Sequence, residues 1–389
     1  MGALEGLKIL DFSTLLPGPY ATMMLADLGA EVLKVSGKNK YDLVVHWPPV
    51  LEGTQTTAAA AWLGRNKKTI WLDLKKPQAV QAVKKLIQEY DIVVEQFRPG
   101  VMKKLGLDYE TLKQENPKLI YCSLTGYGQT GPQKDRAGHD INYLSRSGVM
   151  ASAGRKETGP VLTNMQIADM AVGSMNTVVG ILAAVHHRDR TGEGQYVDIS
   201  MLDGMAAFNS MDGACFLAGA AEPQREGQML NGGGIYDFYE TADGEYMSVG
   251  SLEPKFFAQL CQMLGFPEWA DGTILHTDAD KVKQAFREKF HQKTREEWTA
   301  EFAQVDACVE PVLSLQEATQ DEQLRARGMV PQVPLPQKPE QTVQQIGCPI
   351  HLSACPAKYR HAGWPEGWHT QEVLSRLGYT EDEIADMVE

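Results

Sequence analysis

No two of the six cysteines in this 389-residue chain stand at C-x-x-C spacing: they fall at Cys122, Cys215, Cys261, Cys308, Cys348 and Cys355. Without paired Cys and His at zinc-finger spacing, a metal ribbon, a dithiol redox centre and a disulfide frame are all disfavoured. The thiols read as reduced side chains of a cytoplasmic protein, with no metal site. The sequence also lacks G-x-G-x-x-G after its first apolar run: Phe12-Ser13-Thr14-Leu15-Leu16-Pro17-Gly18-Pro19 offers no glycine spacing for a pyrophosphate at a helix start. A P-loop is missing too, so nicotinamide, flavin and nucleoside-triphosphate chemistry are disfavoured. Excess positive charge is missing: 37 Lys and Arg face 50 Asp and Glu, a net charge of −13. That argues against nucleic acid as a partner and leaves room only for a local basic patch around a phosphorylated ligand. The opening residues through Phe12 carry no basic segment ahead of an apolar core, so no secretory signal is expected. The longest apolar run, Met170 to Val185, is short for a membrane span, contains Ser174, Asn176 and Thr177, and is expected as a buried helix.

Apolar content of 43% with 22% charged residues is the composition of a folded chain with sizeable cores. The first third alternates strand and helix signals. Leu7 to Phe12, Glu31 to Val35, Lys68 to Leu74, Asp91 to Glu95 and Leu119 to Leu124 read as strands. Tyr20 to Leu28, stopped by Gly29, and Pro77 to Glu89 read as helices between them. This grammar predicts an α/β fold with a parallel, doubly wound, Rossmann-like sheet. After the long helix, Tyr196 to Ser200 reads as a further strand. A different region follows, in which Tyr236–Glu240 and Tyr246–Gly250 flank Asp243-Gly244, a hairpin signal. Helices are expected over Glu253–Leu264, Asp280–Lys293 and Thr294–Ala303, a linker over Val330–Glu340, and a helical tail over His369–Glu389.

Three residues carry the chemistry. Asp169, in Ile167-Ala168-Asp169-Met170, stands where a loop becomes the long helix. As a cap it would be ordinary. As a functional group it would exchange a proton while helix-start N–H groups stabilise negative charge on a ligand oxygen. His139, in Gly138-His139-Asp140-Ile141-Asn142-Tyr143, has the side chain suited to reversible proton exchange near neutrality. Glu253, before Pro254, either starts a helix or bonds the second imidazole nitrogen.

With these motifs the chain resembles the family III CoA transferases (the CaiB/BaiF type), most of all their alpha-methylacyl-CoA racemase branch. Leu7-Lys8-Ile9-Leu10-Asp11-Phe12, Arg65-Asn66-Lys67-Lys68, Phe97-Arg98-Pro99-Gly100-Val101-Met102, Gly192-Glu193-Gly194-Gln195 and Asp306-Ala307-Cys308-Val309-Glu310-Pro311 carry the family resemblance. Gly138 to Tyr143, Tyr239 to Gly244 and Leu252 to Phe256 carry the branch. The resemblance implies an isomerase that inverts the α-carbon of a 2-methylacyl-CoA thioester. His139 and Asp169 would be the two bases, Glu253 the support of His139, and the CoA of the substrate the only cofactor moiety. It implies CoA contacts from Arg65, Lys68, Phe97, Arg98, Lys134 and Tyr143. It implies an interlocked homodimer. Each chain would have a large CoA-binding domain (1–200 and 330–389), a smaller α+β domain (225–325) and linkers at 201–224 and 326–340.

Two departures are visible. Ser36 stands where the family often has an acidic residue, and Gly37 to Asp42 does not continue in the usual way. The Asn231-Gly232-Gly233-Gly234 run is closer to the glycine loop of the transferases. It keeps a second reading open, in which Asp169 attacks the thioester carbonyl and CoA moves to another carboxylic acid. A non-catalytic CoA-binding protein is the third.

Overall fold

Six apolar runs pair side by side as parallel strands in the order β3-β2-β1-β4-β5-β6. They are β1 (Lys8–Asp11), β2 (Glu31–Ser36), β3 (Lys68–Trp71), β4 (Ile92–Glu95), β5 (Ile120–Thr125) and β6 (Tyr196–Ser200). The computed structural model describes residues 2–389. Register is set by apolar side chains facing both ways: Ile9 lies opposite Val32 on one side and Ile92 on the other, and Leu10 opposite Leu33 and Val93. A strand buried on both faces has no polar side to turn outward, which is why the central runs β1, β4 and β5 show no alternation, whereas the edge strand β6 is partly exposed. Leu10, Leu33, Ile70, Val83, Leu86 and Val93 fill one layer. Ile9, Leu25, Val32, Ile92, Ile120 and Ile181 fill the other. The order reverses between β1 and β4, the place where an open α/β sheet forms its crevice.

The Pro17–Asp27 helix follows β1 and begins at Pro17, because proline lacks only an N–H that a first turn leaves unpaired anyway. The long helix is continuous from Ala168 to Thr191 and is long and apolar enough to cross a membrane by length and composition. Val172, Thr177, Val178, Ile181 and Ala184 are buried in the fold, and the helix packs beside β5 and β6. Its first seven residues, Ala168–Ser174, form a π-helical stretch before the α-helix takes over at Met175.

Compactness divides the chain into two units. One comprises the chain up to Ser147, with Met165–Phe208 and Gln323–Glu389. The other comprises Gly148–Asn164 and Asn209–Glu322. The 148–164 segment therefore joins the middle of the chain and not the large domain expected for it; Arg155 ties it there, 2.5 Å from Asp237 and 3.1 Å from Glu226.

The second unit is built on an antiparallel sheet of β7 (Asp237–Glu240), β8 (Tyr246–Val249) and β9 (Val309–Pro311). The expected turn falls at Asp243-Gly244, where Gly244 takes φ +77°. Tyr239, Met247, Phe257, Phe286, Phe290 and Trp298 form its core. Each large aromatic buried there contributes about 2–3 kcal/mol.

Both expected linkers are structured. Met201–Phe208 and Ser210–Leu217 are helices. Phe208, Met211, Phe216 and Leu217 are exposed, so their sequence shows no amphipathic stripe. The 326–340 stretch runs into an antiparallel pair, β10 (Gln332–Leu335) and β11 (Lys338–Gln344). The outer strand is exposed along most of its length, which erases the period-2 signal.

Candidate active site

Because all six strands run parallel, every loop that follows a strand leaves from the same edge of the sheet. Phe97 and Arg98 follow β4, Lys134 and His139 follow β5, and the helix carrying Asp169 packs on the one that follows β1. His139 immediately precedes the Asp140–Arg146 helix, in extended conformation. Its backbone N–H donates to the Asn142 side chain at 3.0 Å, and its carbonyl accepts from the Asn142 N–H at 2.8 Å. The Asn of the motif thus fixes the His backbone, and His139 is exposed. Tyr143 is buried; its hydroxyl donates to the Gly138 carbonyl at 2.6 Å, and its ring lies edge-on to Tyr127. A Cβ on Gly138 would sit 2.7 Å from that ring, so glycine is required before His139.

Asp140 joins the two candidate bases. Its carboxylate accepts the Asp169 N–H at 3.0 Å and also bonds the N–H of Ala168. Being next to His139 in the chain, Asp140 brings the His backbone to the start of the π-helical turn. That turn is pinned from the other end by the buried Ser174, whose hydroxyl reaches the carbonyls of Pro17 (2.7 Å) and Asp169 (3.1 Å). Asp169 is the second residue of the turn, not its cap. Burial first, and then the negative charge of Asp140, push its carboxyl up to about 7. Burial also raises Asp140, against the two N–H groups that it accepts.

This geometry alters one expectation. The N–H groups of Ala168 and Asp169 are taken by Asp140, and that of Met170 by the Gln166 carbonyl at 2.9 Å. The helix start therefore does not hold those three donors free for a ligand oxygen.

The residues expected to contact CoA separate. Arg65 is fully buried: Nε and Nη2 bind Asp27 at 3.0 and 2.6 Å, and Nη1 binds Gln345 and the Ile346 carbonyl at 3.0 and 2.8 Å. It is a structural clamp with no face left for a phosphate, which corrects that assignment. Lys68 opens β3 at the amino edge of the sheet, the opposite edge from Arg98, and pairs with Glu372 at 2.7 Å. A four-residue strand separates the two edges by ~13 Å. Phe97, Arg98, Lys134 and Tyr143 stay together on the carboxyl edge. Arg98 and Lys134 are exposed there, and the charge of Arg98 is felt at the Tyr143 hydroxyl. The Phe97 ring carries the Lys40 ammonium 4.4 Å from its centroid. Glu253 belongs to the second unit, where its carbonyl accepts from Phe256 and Phe257 at 3.0 Å as the Pro254–Leu264 helix begins.

Sequence reasoning missed two acids. Asp140 was visible only as the residue after His139; its role is tertiary. Glu95, buried at the end of β4, accepts the Ser123 hydroxyl and, at 2.8 Å, the Phe97 N–H, so it sets the turn that displays Phe97 and Arg98. Tyr196 donates to Ser123 at 2.9 Å. Burial, outweighing these bonds, and the charge of Asp198 push Glu95 up to about 7. An acid at a strand end gives no periodic signal.

A doubly wound sheet with no dinucleotide fingerprint, and a half-buried acid near neutrality tied through Asp140 to the backbone of a His, mark an α/β enzyme of proton or acyl chemistry. The profile of CoA-transferase family III matches residues 4–370. Human (Homo sapiens) alpha-methylacyl-CoA racemase is 36% identical over 387 residues, covering 98% of this chain and 95% of that protein. Mouse (Mus musculus) succinyl-CoA:glutarate CoA-transferase is 33% identical over 400 residues, covering 100% of this chain and 89% of that protein. The crystal structure of a CAIB/BAIF family protein from Brucella suis superposes with a TM-score of 0.83 at 28% identity, over 97% of this chain and 99% of that one. The chain belongs to CoA-transferase family III, an enzyme group that includes both racemases and transferases.

Proposed function

We propose that this enzyme inverts the α-carbon of 2-methylacyl-CoA thioesters by 1,1-proton transfer. The observation that carries this reading is Asp169, a carboxyl near 7 tied through Asp140 to the backbone of His139. A group that titrates near the working pH can both take and give a proton, as reversible exchange at a weak carbon acid demands. One base takes the α-proton, and the C–H electron pair becomes the enolate. The other base returns a proton to the opposite face, and the direction of inversion decides which base acts first. Glu253 as the support of His139 enters this reading through the resemblance alone. Arg98 and Lys134, exposed on the same edge, suit the CoA phosphates.

The transferase reading is favoured by the Asn231–Gly234 run. Within its own unit, however, that run is tied down. The buried Lys283 donates to the Gly232 carbonyl, the Gly233 N–H reaches Gln228 at 3.0 Å, and the Asn231 amide reaches Gln224 at 2.8 Å. A loop held at three points suits a fixed turn better than a flap that closes over an intermediate.

The test is incubation of one enantiomer of a 2-methylacyl-CoA in deuterium oxide. Racemisation gives α-deuterium and loss of optical purity, and His139→Ala abolishes it in at least one direction. Transfer of CoA to an added carboxylate, with Asp169 converted by hydroxylamine to its hydroxamate and no α-exchange, would establish the transferase instead.

A further inference from the structure

We propose that Asp140 is the positioning residue of this site: its carboxylate holds the turn that carries Asp169 and sets a second negative charge against it. The inference rests on the proton-transfer reading above only for its consequence in catalysis; its physical content is a property of Asp169 itself.

Three observations converge. The Asp140 carboxylate bridges two chain segments by accepting from Asp169 at 3.0 Å and from Ala168. The turn it caps is π-helical, a widened coil that is rare and concentrated at functional sites. The N–H groups it occupies are the ones that would otherwise lower the proton affinity of a nearby acid. By covering them with a carboxylate, Asp140 replaces a positive helix start with a negative neighbour. Burial and this charge act on Asp169 in the same direction.

Other elements add little. The Asp140–Arg146 helix also carries Tyr143, which feels the Asp169 charge, and Arg146 in its last turn. The Pro17–Asp27 helix carries Tyr20 and Asp27, whose charged partners are Arg65 and Lys67. The Met201–Phe208 helix carries Asp203, whose charge registers on Asp198. The remainder of the long helix brings His186, His187, Arg188, Asp189 and Arg190 only at its far end. His139 is the neighbour in sequence. Among all of these, Asp140 is the one charge that raises Asp169.

The test uses the full chain and two neutral caps, Asp140→Asn and Asp140→Ser, each keeping an oxygen for the backbone N–H groups, with Asp140→Glu as the charge-retaining variant. Carbodiimide and an amine label protonated carboxyls, and the mass of the peptide containing Asp169 gives its titration midpoint. The wild type is expected to titrate near 7, the neutral variants about one unit lower (tenfold in proton affinity), and Asp140→Glu close to the wild type. The acid limb of α-deuterium exchange should move with the label. An unchanged midpoint in whichever neutral variant folds would overturn the proposal and leave Asp140 as a cap only. A shifted midpoint in an enzyme that shows no α-exchange would uphold the positioning and remove the racemase reading.

Discussion

Replacing Arg65 by Met should destabilise the protein in a strongly pH-dependent way. Asp27 and Arg65 are both 0% exposed at their side chains. Burial already holds the Asp27 carboxyl above its ordinary value, against the bonds from Arg65 and Asn66. Without the guanidinium, the folded protein must keep Asp27 protonated. At pH 7 this is about three units above an ordinary aspartate and costs about 4 kcal/mol at 1.36 kcal/mol per unit. The unfolded chain ionises Asp27 near pH 4, so it binds fewer protons than the folded variant between pH 4 and 7. The variant therefore loses stability as pH rises, and at pH 5 the cost falls to about 1.5 kcal/mol. In units of this size, each kcal/mol moves Tm by about 2–4 °C. The drop should be roughly 8–16 °C at pH 7 and 3–6 °C at pH 5, read by calorimetry beside the wild type. Adding Asp27→Asn should flatten the pH dependence, since the amide keeps an acceptor for Asn66 and carries no charge. A drop that is the same at both pH values would refute the reasoning. So would an unchanged Tm with a raised KM for the CoA thioester, the signature of a phosphate contact.

Two further outcomes are expected. The stability of the wild type should fall as pH rises from about 4.5 to 7, because the raised carboxyl of Glu95 binds its proton more tightly folded than unfolded. Glu95→Gln should lose that part of the urea-midpoint profile, and an identical profile would rule the assignment out. Tyr143→Phe removes one hydrogen bond to Gly138 and should cost about 1 kcal/mol. Its kcat should fall through loosening of His139, whereas a rise in KM alone would assign Tyr143 to CoA.

Legibility followed physics. The central strands were readable because burial on both faces leaves an uninterrupted apolar run, and Asp243-Gly244 announced its hairpin. The helical tail expected over His369–Glu389 forms as Thr370–Arg376 and Glu381–Val388, the second opened by Glu383 accepting the Thr380 N–H at 2.8 Å, a local bond. What failed was whatever depends on distant partners. Arg65 was expected as a CoA contact because nothing local shows its acceptors, which lie at Asp27 and, much later in the chain, at Gln345 and Ile346. Asp140 and Glu95 looked like ordinary polar residues because burial in the fold, not spacing, raises their proton affinities. His139 and Asp169 were singled out by residue type and motif. That one residue ties them together, and that it occupies the first N–H groups of the helix, came only from the fold.

The clamp around Arg65 also bears on how the chain matures during synthesis. Arg65, Asn66 and β3 draw their partners from residues near the end: Gln345, the carbonyls of Ile346, Lys358 and His361, and the hydroxyl of Thr370 beside Trp71. A growing chain that has emitted β1 to β6 still holds a buried-to-be guanidinium with half its acceptors unmade. The first half therefore waits for the last, and a nascent chain stalled before residue 345 should stay protease-sensitive around Arg65.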